Sequence, residues 1–279
     1  MDPSKLLVSF SLALYSQWFY HKPTRCLFDA GECVATALGK RVFGIRRVFL
    51  SHGHEDHISG LANLVNVRNL AAGSSDKPLH VYYPFGDPWI EALLEYIKAK
   101  QSGLLRYALY AEPIRPGDQI LLDDLKRPTR VTAFETAHVP GRLCLGFEIE
   151  QEKTLLDLHI GHRMRVPVPV FFYSGDGYQA FHSPYGRVEL AIHEATFLQR
   201  DVGTSARHIA QRHSTVETAI QWATREDVKC LILCHISDRY SKEELLEAAR
   251  AAIHESKFRG EAYAAIRDAI IPIAYKENS

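Results

Sequence analysis

The sequence predicts an α/β fold of four layers, αββα, in which two β-sheets pack face to face and helices cover both outer surfaces. Three observations lead there. Short apolar or alternating runs of strand length, rich in Val, Phe and Tyr, come in two separate series along the chain. Each series is accompanied by segments whose apolar residues recur at helical spacing between recognisable caps. A length of 279 residues with 46% hydrophobic content is enough to fill the interior of one large α/β domain. No repeat, low-complexity tract or linker divides the chain, so residues 1–279 are expected to form a single domain.

The first series reads "KLLVSF", "WFYH", "TRCLFDA" and "RRVFLS" as strands, with "ECVATALGK" as a short helix closed by Gly39. "HISGLANLVNVRNLA" is expected to be one helix ending before Gly73, and "LHVYYP" a strand. "DPWIEALLEYIKAKQ" opens with Asp87 as N-cap and Pro88 as first helical residue. The second series is "RYALYAEPI", "DQILL", "TRVTAFETAH", "LCLGFEIE", "VPVFFYSGD" and "VELAIHEAT". "STVETAIQWATRE" follows as a helix with Ser214 and Glu217 in a capping-box pattern, then "VKCLILCHIS" as a buried strand and "SKEELLEAARAAIHESK" as a closing amphipathic helix. "KTLLDLHIGHRMRVPVPV" suits no element, and about 151–169 is read as an insertion or protruding loop.

Lys plus Arg equals Asp plus Glu, 33 each, so no global positive field announces a nucleic-acid partner, and attraction to phosphate must come from local patches. The candidates are Lys40, Arg41, Arg46 and Arg47, and Arg207, His208 and Arg212. Cys26, Cys33, Cys144, Cys230 and Cys234 are odd in number and scattered, as expected of reduced intracellular thiols filling a core. Strand alternation turns Cys234 away from His235, which argues against a thiolate ligand there. The opening "MDPSKLLVSFSLALYSQWFYHK" lacks a basic leader and a cleavage site, and polar residues interrupt it; a cytoplasmic chain with no membrane attachment is expected.

The chemistry is concentrated in "FLSHGHEDHISGL". His52, His54, Asp56 and His57 crowd into six residues after an apolar run. Protonated imidazoles that close repel one another, and neutral ones add little to a core, so the cluster points to a cation. His52 and His54, two apart, can face one ion from a strand end, while Asp56 and His57 lie in the turn entering the helix and are aimed at a second. His138, Asp176 and His235 also sit at strand ends. Five histidines and two aspartates make about the complement that two divalent ions with a shared carboxylate require. Imidazole and carboxylate without thiolate suit Zn²⁺, with Mn²⁺ as the alternative. His193 is read as a structural residue ending a strand, Ser174 as a turn residue or hydrogen-bonding support, and His21, His80, His182, His208 and His254 as solvated or capping residues.

Taken together these motifs resemble the metallo-β-lactamase fold and, within it, ribonuclease Z, the tRNA 3′-processing endonuclease, in its short bacterial form. H-x-H-x-D-H matches at His52, His54, Asp56 and His57. More specific are "YSGDG" with Asp176, "HEAT" at His193 to Thr196, "HST" at His213 to Thr215, and "HISDRY" from His235. Two features depart from the family pattern: its N-terminal Gly-rich loop is absent, and the space between Glu148 and Phe171 leaves "HIGHRMR" (His159, His162, Arg163, Arg165) as a reduced arm.

The resemblance implies two Zn²⁺ per chain, one on His52, His54 and His138, the other on Asp56, His57 and His235, with Asp176 bridging. It also implies that Glu194 orients His213, which protonates the leaving group or holds the phosphate, while Asp56 accepts the nucleophile's proton. The expected substrate is precursor tRNA, cut to leave a tRNA 3′-hydroxyl and a 5′-phosphorylated trailer, and the expected assembly is a homodimer. A dinuclear phosphodiesterase acting on small phosphodiesters or other RNA or DNA is the alternative, and a non-catalytic RNA-binding homologue the third reading. A lactonase or thioesterase has no use for the HEAT and HST pair.

Overall fold

The structure, a computed structural model describing residues 2–70, 77–156, 163–177, 187–202 and 212–274, arranges the strands in two mixed sheets whose division differs from that of the two series, because "RYALYAEPI", read as opening the second, supplies the last strand of the first sheet. The first holds β1 (Leu7–Leu12), β2 (Ser16–His21), β3 (Cys26–Phe28), β4 (Arg47–Phe49), β5 (Leu79–Pro84) and β6 (Leu109–Ile114), side by side in that order. The second holds β7 (Gln119–Leu121), β8 (Thr129–Thr136), β9 (Cys144–Leu156), β10 (Arg163–Tyr173), β11 (Ala191–Glu194), β12 (Cys230–Cys234), β13 (Glu261–Ile266) and β14 (Ala269–Ala274), again adjacent in sequence order. β3 to β6 are parallel, as are β10 to β13. Parallel neighbours need crossovers. In the first sheet these are α1 (Val34–Leu38), α2 (Glu55–Ile58), α3 (Leu61–Leu70) and α4 (Pro88–Lys100); in the second, α5 (Val216–Arg225) and α6 (Lys242–Ser256).

Alternation along each strand builds the four layers. In β12, Cys230, Ile232 and Cys234 face the other sheet, while Leu231 and Leu233 face α5 and α6. In β4, Phe49 points into the seam and Val48 toward α1, α3 and α4. The seam is aromatic: the Phe28 ring centroid lies 4.8 Å from Phe171 and 5.5 Å from Phe49. The edges are tied as well, since Ser11 and Arg267 exchange backbone hydrogen bonds of 3.0 and 2.8 Å between β1 and the β13–β14 turn. No helix among the described residues is long and apolar enough to cross a membrane.

Five local expectations are corrected. The helix expected over "HISGLANLVNVRNLA" is two, α2 and α3, parted at Gly60, where a Cβ would stand 2.1 Å from the Gly31 carbonyl oxygen; Gly73 lies outside the described residues. The N-cap of α5 is Thr215, not Ser214, and its reciprocal partner is Thr218, not Glu217. The segment that suited no element is a β-hairpin, whose last five residue pairs, from Glu152–Pro167 to Leu156–Arg163, extend beyond the end of β8, about 17 Å at strand rise. His159 and His162 lie outside the described residues. Prolines are tolerated in β10 because the Pro169 side that carries a carbonyl to Glu189 N–H faces away from β9, so no rung of that ladder needs its missing donor. The β13–β14 hairpin, not expected at all, closes the second sheet. His21 is buried, not solvated: its ring stacks on Phe171 at 4.7 Å, its Nδ1 meets Thr24 Oγ1 at 2.8 Å, and burial drives its pKa down to about 3.

Candidate metal centre

In open parallel sheets, side chains just past the carboxyl ends of strands gather at one rim. Here both sheets deliver to the same rim. Asp29 follows β3, and His52 and His54 follow β4; His138 follows β8, Asp176 follows β10, Glu194 ends β11, and His235 follows β12 in a left-handed conformation (φ 55°) with its N–H on Ser11 Oγ at 2.7 Å. Asp56 and His57 arrive on the first turn of α2. All seven predicted donors therefore meet, and two trios that could each hold an ion are His52, His54, His138 and Asp56, His57, His235. Asp176 Oδ2 lies between them, 3.9 Å from His138 Nε2, 3.4 Å from His57 Nε2 and 3.2 Å from His235 Nε2. The turn that presents Asp176 depends on Gly177 (φ 119°), whose Cβ would lie 2.8 Å from the Ala137 carbonyl.

The hydrogen bonds fix which ring nitrogen each histidine offers. His57 Nδ1–H donates to Asp29 Oδ2 (2.7 Å), and His138 Nδ1–H to the Arg212 carbonyl (3.2 Å). Ser51 Oγ donates to Asp29 (2.9 Å) and so accepts from His52 Nδ1 (3.0 Å); Thr196 Oγ1 donates to Glu194 (2.8 Å) and accepts from His235 Nδ1 (2.9 Å). Four imidazoles thereby turn Nε2 inward. His54 instead turns Nδ1 inward, 2.9 Å from His52 Nε2 and 3.2 Å from His138 Nε2. Lone pairs so close repel unless a cation separates them. His57 Nε2 and Asp176 Oδ1 are buried with no hydrogen-bond partner. Both observations fit a metal.

Electrostatics agree. Burial, reinforced by the charge of His57, holds His52 well below the ordinary imidazole value; burial lowers His54 and brings His138 to about 4, so these are neutral ligands at pH 7. Burial opposes ionisation of Asp56 and Asp176, yet His57 and His235 hold both carboxyls below the usual range. Burial also opposes a charged His57, but Asp176, Asp56 and Asp29 together raise it well above 6.5; this excess of negative charge is what a cation would neutralise.

Beside the donors stands a second arrangement. Glu194 is fully buried; Oε1 accepts from Gly177 N–H (2.9 Å) and Ser214 N–H (2.8 Å), and Oε2 from Thr196 N–H (3.1 Å). His213 Nδ1 is 3.3 Å from Oε1. Burial works against a charged His213, but the Glu194 carboxylate outweighs it and lifts the pKa to about 8. The Ser214 N–H is thus spent on Glu194, which is why the cap of α5 falls one residue later. Ser174 supports the same carboxylate by accepting the Glu194 N–H (2.9 Å), and His193 packs on Trp222 in the outer core.

The sequence reading gave Asp29 and Thr196 no role at the site, and gave Asp87 only the cap of α4. Asp29 accepts from Ser51 N–H, Ser51 Oγ, His57 and the Tyr173 hydroxyl, and Asp87 caps α4 while packing against Gly53 between His52 and His54. Position at a strand end, in "FDAG", and the Thr of "HEAT" were the available signals. The proposed basic contacts divide: Arg47 is buried and paired with Asp123 and Asp124 at the far end of β4, Arg212 lines the site, and Arg207 and His208 lie outside the described residues. The cavity over the donors measures about 230 Å³ and is lined by Leu14, His54, Asp56, His138, Val139, Asp176, Arg212, His213 and His235.

Residues 24–236 match the model of the beta-lactamase superfamily domain. Ribonuclease Z of Anoxybacillus flavithermus is 31% identical over 270 residues, 80% of this chain and 81% of that protein, and ribonuclease Z of Halalkalibacterium halodurans is 30% identical over 269 residues, 81% and 82%. Among solved structures, human tRNase Z, short form, superposes with a TM-score of 0.66 at 20% identity over 96% of this chain and 99% of that one. The metallo-beta-lactamase fold protein YhfI from Bacillus subtilis does so with 0.66 at 18% identity over 95% and 98%.

Proposed function

The chain belongs to the ribonuclease Z family of the beta-lactamase superfamily, and from that premise we propose that it is a zinc-dependent endoribonuclease removing the 3′ trailer of precursor tRNA. The observation that carries this reading is the Glu194–His213 pair standing beside seven convergent donors. His52, His54 and His138 would hold one Zn²⁺ and Asp56, His57 and His235 the other, with Asp176 shared between them; Mn²⁺ is the alternative ion. When bound, the ions activate water and draw charge off the phosphate oxygens.

The chain supplies the rest. Asp56 takes the proton of the attacking water, its carboxylate kept ionised by His57 and His235 and by the Leu14 N–H at 3.2 Å. Glu194 keeps Nδ1 of His213 protonated and the ring charged near neutrality, so Nε2–H is the group that can donate to the leaving 3′ oxygen. Water then ends on phosphorus, the P–O3′ bond breaks, and the phosphate stays with the trailer. Family membership supports a homodimer, and a tRNA substrate supports a cytoplasmic location.

The test incubates the metal-loaded protein with end-labelled precursor tRNA and with bis(p-nitrophenyl) phosphate. Mature tRNA with a 3′-hydroxyl plus a 5′-phosphorylated trailer is the expected result. Cleavage of the small diester alone would move the assignment to a small-molecule phosphodiesterase, and cleavage of neither would overturn both.

A further inference from the structure

The cavity over the donors, about 230 Å³, is small and open to solvent, and nucleosides flanking a phosphodiester seated on the donors would lie along its rim. Beside His54 the rim is a series of three flat groups. The Trp89 ring centroid lies 5.8 Å from that of His54, inclined by 31°, and the guanidinium carbon of Arg142 stands 3.6 Å from the Trp89 centroid. Trp89 is presented by the first turn of α4, just past the Asp87 cap, and stays 42% exposed. Arg142 belongs to the turn after His138, its N–H on the Val139 carbonyl at 3.1 Å.

Two properties of this pair ask for a ligand. An exposed indole beside a catalytic rim is a surface on which a nucleobase stacks, whatever its identity. The guanidinium is not neutralised: no carboxylate among the described residues pairs with Arg142, and its Nη1 is buried without a hydrogen-bond partner. A phosphate group provides the missing charge and acceptors.

Geometry also gives the side. His138 stands between the stack and the general acid, its ring 5.0 Å from His54 and 4.6 Å from His213. The leaving 3′ oxygen is at His213, so the stack lies toward the phosphate that is retained. Resting on the endoribonuclease reading, we propose that Trp89 and Arg142 form the binding subsite for the first trailer nucleotide, with its base stacked on the indole–guanidinium pair and its 3′-side phosphate on Arg142.

The experiment compares zinc-loaded wild type with Trp89→Ala, Trp89→Phe, Arg142→Ala and Arg142→Lys. Substrates are precursor tRNAs bearing one or several trailer nucleotides, and methyl p-nitrophenyl phosphate, which places only a methyl group on the retained side. Trp89→Ala is expected to lower kcat/KM on precursor tRNA by about 5- to 100-fold, the range of a lost base–aromatic stack, chiefly through KM, and Trp89→Phe to recover most of it. Arg142→Ala should cost more with several trailer nucleotides than with one, because only the longer trailer carries the second phosphate, and Arg142→Lys should recover only part. Methyl p-nitrophenyl phosphate turnover and zinc content should stay within about twofold of wild type in Trp89→Phe and in both Arg142 variants, as for contacts that leave the chemical step alone, and in Trp89→Ala the loss on RNA should exceed any loss on the small diester. Equal losses on both substrates would mean the pair merely supports His54, and unchanged RNA kinetics would mean no nucleotide lies there; either overturns the subsite. Wild type that cleaves the small diester but no RNA overturns the nuclease reading itself, and the subsite with it.

Discussion

The two donor trios are built differently. Asp56, His57 and His235 each have a partner that fixes them: the Leu14 N–H, the Asp29 carboxylate and the Thr196 hydroxyl. In the other trio His52 rests on Ser51 and His138 on the Arg212 carbonyl, whereas His54 has only the neighbouring Trp89 ring outside the trio. Charge differs as well. One trio is all imidazole, and the other carries a carboxylate and has a second, Asp29, directly behind it. A carboxylate behind a ligating imidazole raises its basicity and locks its orientation. The comparison teaches that two donor groups a few ångströms apart can differ through what stands behind them, and it leads to the expectation that the Asp56 trio binds an ion more tightly than the His52 trio.

The contrast can be broken first at the residue common to both. Asp176→Ala should empty both seats and reduce RNA cleavage to background, since a buried pair of ions that loses its shared anion also loses charge balance; elemental analysis after gel filtration measures it. Full metal content with near-normal turnover would place the bridge elsewhere. His213→Ala should lower turnover by about 10²- to 10⁴-fold, the usual loss for a missing general acid, with both metals retained. Metal loss there would make His213 a ligand and add it to one of the trios.

Asp29→Asn addresses the difference directly. Removing the carboxylate behind His57 should weaken the Asp56 seat by about 10- to 100-fold and leave the His52 seat unchanged, so chelator titration should show the order of metal release narrowing or inverting. Loss of equal size from both seats would abolish the distinction. The smallest effect is a pH shift. His213 is held at about 8 in the folded protein, above its ordinary 6.5, so the stabilising pairing with Glu194 is complete below 6.5 and fades as pH rises through about 8. Turnover should fall along the same alkaline limb. In Glu194→Gln burial is no longer opposed by the carboxylate, and the limb should move to lower pH in a kcat profile; an unmoved limb would separate Glu194 from proton transfer.

The seven donors were legible in the sequence because five follow short apolar runs where alternation stops and a polar turn begins, and Asp56 and His57 come in the helical turn a few residues after one of them. Position at a strand end becomes proximity once the strands are parallel. Asp29 ends such a run too, in "TRCLFDA", but nothing local distinguishes it from a capping aspartate; its importance comes from His57, Ser51 and Tyr173 meeting it in space. Thr196 is likewise ordinary until His235 arrives from β12. Two strand pairs hid for different reasons. "VPVPV" carries prolines that argue against a strand, and only the one-sided pairing of β10 admits them. The β13–β14 hairpin turns on Arg267 and Asp268 without glycine, with Arg267 at φ 56°, and its Ala-rich first strand has Ile266 as its one β-branched residue.

The rim where the donors gather is also the upper end of the seam between the sheets. Asp56, His57, His52 and His54 hang from one sheet, and His138, Asp176 and His235 from its opposite number. An ion seated there would be a rivet through two plates that otherwise meet along that margin by aromatic contacts and by hydrogen bonds such as the Tyr173 hydroxyl to Asp29, Leu145 N–H to the Ser51 carbonyl and His235 N–H to Ser11. Sliding one plate over the other must first shear the rivet, so tight coordination and resistance to melting rise together, and the enzyme stripped of its ions is looser as well as idle.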